Sequence, residues 1–96
     1  MDIAIRQDDR LVTITPKGEL DLHSATRLDA ELRRLAGGEV ECVRLDMSCC
    51  TFIDSSALGL LLRWRERCER EGRTFEVTGA QGAVRRVFHM TGALPT

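Results

Sequence analysis

The segment Phe52-Ile53-Asp54-Ser55-Ser56-Ala57-Leu58-Gly59 runs from apolar residues through one acid and two hydroxyls into a second apolar stretch. Polar groups at such a junction have two uses. As an N-cap, Asp54 or a serine accepts a hydrogen bond from an orphan backbone N–H at a helix start, worth about 1 kcal/mol. As a phosphoacceptor, a surface hydroxyl in the positive field of a helix start takes up phosphate without unfolding the domain. The added charge then changes the face a partner meets. Spacing alone leaves both uses open. Nucleophilic catalysis fits poorly, because a serine nucleophile needs a base within hydrogen-bond reach and an orienting acid. His23 and His89 fall at the start of one predicted helix and the end of another, and no G-x-S-x-G elbow surrounds Ser55. The sequence contains neither a Walker loop nor G-x-G-x-x-G, so no cofactor is expected, and the chain reads as a binding domain rather than an enzyme.

The elements that must position this segment follow from periodicity. Ile3 to Ile5 and Leu11 to Thr15 alternate apolar and polar around Gln7-Asp8-Asp9-Arg10, the pattern of a hairpin. Pro16 cannot donate to a ladder and is expected to end the second strand at an edge or bulge. Gly18-Glu19-Leu20-Asp21 leads into a helix with Ser24 as expected N-cap, a stripe of Leu28, Leu32 and Leu35, and a stop at Gly37-Gly38. Val40 to Met47, with Phe52-Ile53 adding apolar residues before the acid, reads as one interior strand. The second helix opens at Asp54-Ser55-Ser56 and runs to about Glu71, where Gly72 stops it. Leu58, Leu61, Leu62 and Cys68 form its inward stripe. Ala57, Leu60 and Trp64 form a second stripe that one sheet face need not cover, a candidate partner surface. Thr74 to Thr78 alternates again, and Val84, Val87 and Phe88 mark a third helix closed by Thr91-Gly92. The order β-β-α-β-α-β-α predicts an α/β domain with helices on one face of a mixed sheet.

Composition narrows the class. With 96 residues, 43% apolar and 30% charged, the chain suits one compact domain and leaves no room for a second. A formal net charge of -1 gives no global attraction to nucleic acid or an anionic membrane. The longest apolar stretch, Ala57 to Leu62, is far short of the ~20 residues of a membrane span. No leader pattern opens the chain, so a cytoplasmic location is the expectation. Cys42, Cys49, Cys50 and Cys68 are expected to be reduced, because no secretion signal is present and the core needs no staple, and buried as small hydrophobes; a soft-metal site at Cys49-Cys50 is the weaker reading, because no second Cys or His pair sits at zinc-site spacing. The arginines Arg63, Arg65, Arg67, Arg70 and Arg73 are interleaved with Glu66, Glu69 and Glu71, with Glu66 and Arg70 paired at i, i+4. This pattern favours a solvated helix face over a nucleic-acid patch, and Arg85-Arg86 reads the same way.

Four segments together resemble the STAS domain family, and within it the anti-sigma factor antagonists of bacteria. They are Gly18-Glu19-Leu20-Asp21, Val43-Arg44-Leu45-Asp46-Met47-Ser48, Phe52-Ile53-Asp54-Ser55-Ser56-Ala57-Leu58-Gly59-Leu60-Leu61, and Val87-Phe88-His89-Met90-Thr91-Gly92. The resemblance implies a STAS-like mixed sheet with helices on one face, and partner switching. In such a switch, an anti-sigma factor that is itself a serine kinase of the GHKL type holds a sigma factor. The unphosphorylated antagonist binds that kinase and frees the sigma factor; phosphorylation ends the contact and a serine phosphatase resets it. The family's phosphorylated position maps to Ser55, with Ser56 the lesser candidate. The resemblance also implies that Asp54 and Asp21 contribute to the kinase contact. Ala57 stands where many members carry Gly, which is expected to place a methyl in the partner's approach path. The chain ends at Leu94-Pro95-Thr96, where longer relatives continue with a further strand and a last helix, so one STAS domain over 1–96 without those elements is expected. A short STAS subunit bound to the ATPase of a phospholipid-transport ABC system is the alternative, and a stressosome-type scaffold is a third.

Overall fold

The computed structural model describes residues 2–35 and 38–91. The elements are β1 (Asp2–Asp8), β2 (Leu11–Leu20), α1 (Leu22–Leu35), β3 (Cys42–Asp46), β4 (Cys50–Ile53), α2 (Ser55–Arg70), β5 (Thr74–Thr78) and α3 (Gly82–Thr91). β1 and β2 form an antiparallel hairpin closed at Asp9-Arg10, where Asp9 takes a positive φ of 55°. This is a conformation Asp tolerates better than most non-glycine residues. β3 pairs parallel with the first half of β2 and with β5, and β4 pairs parallel with the end of β2, so the five-stranded sheet is mixed.

Alternation decides which face is covered. Val12, Ile14 and Pro16 of β2, with Val43 and Leu45 of β3, are buried beneath the helices. On the other face a row Arg6, Thr13, Arg44, Glu76 crosses the four strands in register and meets solvent. Arg44 and Glu76 form an ion pair within it, the opposite-charge arrangement that stabilises neighbouring strands. The core beneath the helices comprises Leu28 and Leu32 of α1, Leu58, Leu61 and Cys68 of α2, and Val84 and Phe88 of α3. Leu62 and Val87, expected on inward stripes, are only half-buried.

Several boundaries differ from the sequence expectation, each for a local reason. β2 does not end at Pro16. The proline lies between the register with β3 (through Ile14) and that with β4 (from Gly18), so neither parallel ladder asks it for an N–H. The expected single strand from Val40 is two, because Met47 to Cys49 turn and β4 resumes pairing further along β2, at Gly18 to Leu20, in a register shifted from that of β3. The cap of α1 is Asp21 rather than Ser24. Asp21 Oδ1 accepts from Ser24 N at 2.9 Å, and Ser24 sits inside the first turn, buried. Gly37 of the expected first stop and Gly92 of the expected last one lie outside the described residues. The turn after β5 depends on Gly79: its φ is +72°, and a Cβ there would lie 3.0 Å from Asp46 Oδ1 and 3.1 Å from Ser48 Cβ.

The cysteines are free, but not all are buried. Cys50 and Cys68 are buried, Cys42 is intermediate, and Cys49 is exposed on the β3–β4 turn. Burial pushes the thiols of Cys50 and Cys68 upward, keeping them protonated and unreactive. An alkylating reagent applied to the native protein is therefore expected to modify Cys49 first, with Cys50 and Cys68 reacting only after denaturation. Intact mass and peptide mapping against time check this.

Candidate functional site

The site is built by two strands that end side by side. β2 and β4 run parallel with Leu20 opposite Ile53, and Asp54 N donates to Leu20 O at 3.2 Å. The next residue of each chain is an aspartate that caps a helix. Asp21 accepts from Ser24 N and Asp54 from Ala57 N, each at 2.9 Å and each three residues on. The backbone at Asp54 is extended (φ -99°, ψ 174°), as an N-cap requires. Two helix N-termini, each with an ordered carboxylate, therefore open on one surface.

Asp21 is held further. Ser24 Oγ lies 3.0 Å from both Asp21 Oδ1 and the Glu19 carbonyl, so its single hydrogen has two acceptors and ties the cap to β2. The Ser24 backbone N–H, then the Ser24 hydroxyl, hold the Asp21 carboxyl below its ordinary range. Asp21 thus stays ionised at neutral and mildly acid pH.

Ser55 is the first residue of α2 and Ser56 the second; both are exposed. Among the described residues neither hydroxyl is engaged in a hydrogen bond. Asp54 does the capping, which leaves the Ser55 and Ser56 hydroxyls outside the N-cap role. A shallow depression of about 540 Å³ beside them is lined by Asp21, Leu22, His23, Thr26 and Asp54.

Two apolar side chains absent from the sequence expectation flank this surface: Leu22 is 65% and Phe52 47% exposed. Phe52 faces outward because the β2–β4 register slips, with Gly18 opposite Cys50 but Glu19 opposite Phe52. The extra residue breaks the two-residue alternation, so Cys50 and Ile53 both point inward and Phe52 does not. A break in alternation within four residues is the only trace this leaves in the sequence. Exposed apolar residues beside ordered carboxylates and free hydroxyls are the ingredients of a protein-docking surface.

The expected flanking stripe of α2 requires correction. Ala57 is fully buried, so its methyl does not stand in a partner's approach path. Trp64 is 6% exposed. α1 packs across this side of α2, and Trp64 Nε1 donates to Asp29 Oδ1 at 2.8 Å. Leu60 is half-buried and lines the furrow between the two helices. Asp21, Asp54, Ser55 and Ser56 come together; Ala57 and Trp64 belong to the core behind them.

Residues 2–96 match the STAS domain family. The chain belongs to that family. Among solved structures it is similar to an anti-sigma factor antagonist from Mycobacterium paratuberculosis, with 24% identity, a TM-score of 0.86, and coverage of 99% of this chain and 86% of that one. It is also similar to the Bacillus anti-sigma factor antagonist SpoIIAA. The unphosphorylated form gives 24% identity and a TM-score of 0.77 over 93% of this chain and 83% of that one. The phosphorylated form gives 24% and 0.79 over 96% and 85%. The mixed five-stranded sheet with three helices is thus the STAS fold. Among the described residues no helix is long and apolar enough to cross a membrane.

The two roles of Asp54, cap and charge, separate by substitution. Asp54→Ala is expected to cost about 1 kcal/mol by leaving the Ala57 N–H without its acceptor. Asp54→Asn, an equally good cap, is expected to keep the stability and lose only the charge. Urea midpoints of the two variants check this.

Proposed function

We propose that this chain is an anti-sigma factor antagonist that binds an anti-sigma factor serine kinase of the GHKL type while unphosphorylated, and is switched off by phosphorylation at Ser55. The observation that carries the reading is the placement of Ser55: exposed, unbonded among the described residues, and one position after an aspartate that already caps the helix. Its hydroxyl is available for chemistry because the helix start does not need it. Leu22 and Phe52 supply apolar docking area, and the Asp21 and Asp54 carboxylates meet a basic residue of the kinase.

The chain is the substrate of the transfer and not its catalyst. Ser55 Oγ attacks the γ-phosphorus of kinase-bound ATP; the Oγ–P bond forms, the β–γ phosphoanhydride breaks, ADP leaves, and the hydroxyl proton passes to the kinase. The product carries about -1.5 to -2 charge beside Asp54 and Asp21, and the kinase surface that matched two carboxylates no longer fits. A serine phosphatase adds water to the phosphorus, releasing inorganic phosphate and restoring the hydroxyl. The cycle takes place in the cytoplasm, without contact to nucleic acid or insertion into a membrane.

Incubation with the cognate kinase and ATP is expected to add one phosphate, at Ser55. Intact mass and peptide mapping of wild type, Ser55→Ala and Ser56→Ala test it: Ser55→Ala should take up none and Ser56→Ala the full equivalent. Undiminished uptake by Ser55→Ala would overturn the assignment. Capture of an ABC transporter ATPase in place of a GHKL kinase would overturn the function.

A further inference from the structure

β1 stands at one end of the strand path β1-β2-β3-β5, so its ladder with β2 uses one edge and the other edge meets no strand among the described residues. In an antiparallel ladder alternate residues turn their N–H and C=O away from the neighbour. Along the seven residues of β1 these groups form a template for a further strand. The usual protections of an edge are missing. Asp2–Asp8 contains no proline, lysine or glycine, and its register runs from Asp2 opposite Lys17 to Asp8 opposite Leu11 without a bulge.

The two faces of β1 differ. Ile3 and Ile5 lie on the covered side, opposite Pro16 and Ile14, where they pack against the core yet stay half-buried. Asp2, Ala4 and Arg6 lie on the open side and are exposed. A second copy laid antiparallel against this edge, with a twofold axis between the two Ala4 residues, sets Ile3 against Ile5 and Asp2 against Arg6, each pair occurring twice. The apolar pairs cover side chains that the single chain leaves half-exposed, and the opposite-charge pairs stabilise neighbouring strands. Arg6 can turn to this task, because its own contact, with Asp8 Oδ2 at 2.9 Å, joins two exposed side chains and holds weakly. A slip of two residues would set Asp2 against Asp8 at both ends, where like charges repel. A slip of one would put the isoleucines of the copy on the open face. The charges and the apolar pair therefore select a single register. β5, at the other end of the path, lacks this fit: Glu76 stands at its centre and would face its own copy.

We propose that the outer edge of β1 is a self-association site, at which two copies of this chain join antiparallel with Asp2 opposite Arg6 and continue the sheet across both. Such a joint is isologous, so it closes as a dimer and does not propagate into fibres. It lies beside the docking surface, since Asp2 lines one depression together with Asp21 and His23. One strand from each copy makes a small interface of the weak, transient kind, and the dissociation constant is expected on the order of 0.1 mM.

Translational diffusion of the whole chain, followed by NMR from well below to well above that concentration, is expected to slow as the dimer fills. Arg6→Asp and Asp2→Arg each set like charges against one another in this joint, and each should weaken self-association at least tenfold. Both side chains are exposed, so the fold of the single chain should tolerate either change. Mixed in equal amounts, the two variants complement each other at both charged pairs, and the mixture should recover association of wild-type strength. A wild type that stays monomeric at ten times the expected dissociation constant, single variants that associate as it does, or a mixture no better than its components would each overturn the proposal. Neither Ser55 nor a kinase takes part, so failure here leaves the phosphorylation reading standing, and the reverse.

Discussion

Replacing Trp64 with alanine is expected to remove about 3–5 kcal/mol of stability, a large part of the ~5–15 kcal/mol that a domain commonly holds. The indole is 6% exposed, packed where α1 crosses α2, and its Nε1 hydrogen ends on Asp29 Oδ1 at 2.8 Å. Truncation opens a cavity between the two helices and leaves Asp29 with an unfilled lone pair at a partly buried position. At roughly 4–8 °C per kcal/mol for a chain of this length, the thermal midpoint should fall by more than ~12 °C. Trp64→Phe separates the contributions in part: it keeps a six-membered ring in place but loses the N–H and the rest of the five-membered ring, and should cost about 1–3 kcal/mol, less than Trp64→Ala. Thermal and urea unfolding of the two variants check this. A midpoint for Trp64→Ala within ~3 °C of wild type would place the ring outside the core and reopen it as partner surface.

Why periodicity misplaces this residue is instructive. Offsets of three and four say which α2 residues share a stripe, and they correctly join Ala57, Leu60 and Trp64. They do not say whether a second helix lies on that stripe. The deciding contact pairs a charged residue of α1, Asp29, with an indole N–H, and hydrophobic pattern carries no signal for such a bond. Phe52 is lost for a related reason: a one-residue slip between β2 and β4 reverses its face, and register is a property of two strands. What was legible is what is local. Asp54-Ser55-Ser56 at a strand-to-helix passage identifies the start of α2 to the residue, because capping chemistry is decided within four positions. Asp21 entered through family resemblance, although a local signal was present. An apolar residue, an aspartate and a small residue three positions on occur in both Leu20-Asp21…Ser24 and Ile53-Asp54…Ala57, and the parallel pairing of β2 and β4 makes the two caps neighbours.

That neighbourhood also governs the second large effect. Ser55→Asp is expected to weaken binding to the cognate kinase at least a hundredfold while moving the thermal midpoint by less than ~2 °C. Stability should hold because Ser55 is exposed, bonds to nothing among the described residues, and sits in the first turn of α2, where a negative charge is mildly favourable. Affinity should fall because the new carboxylate stands next to Asp54 on the surface that Asp21 shares, and docking would strip water from a third negative charge where the kinase offers partners for two. A hundredfold loss corresponds to ~2.7 kcal/mol, within what one mismatched charge costs at an interface. Ser56→Asp, one position further into the helix, should weaken binding less. Calorimetric titration of the three proteins against the kinase, alongside their melting curves, separates the outcomes. Wild-type affinity in Ser55→Asp would mean that charge at this position does not govern docking; unfolding would mean that the helix start cannot accommodate it.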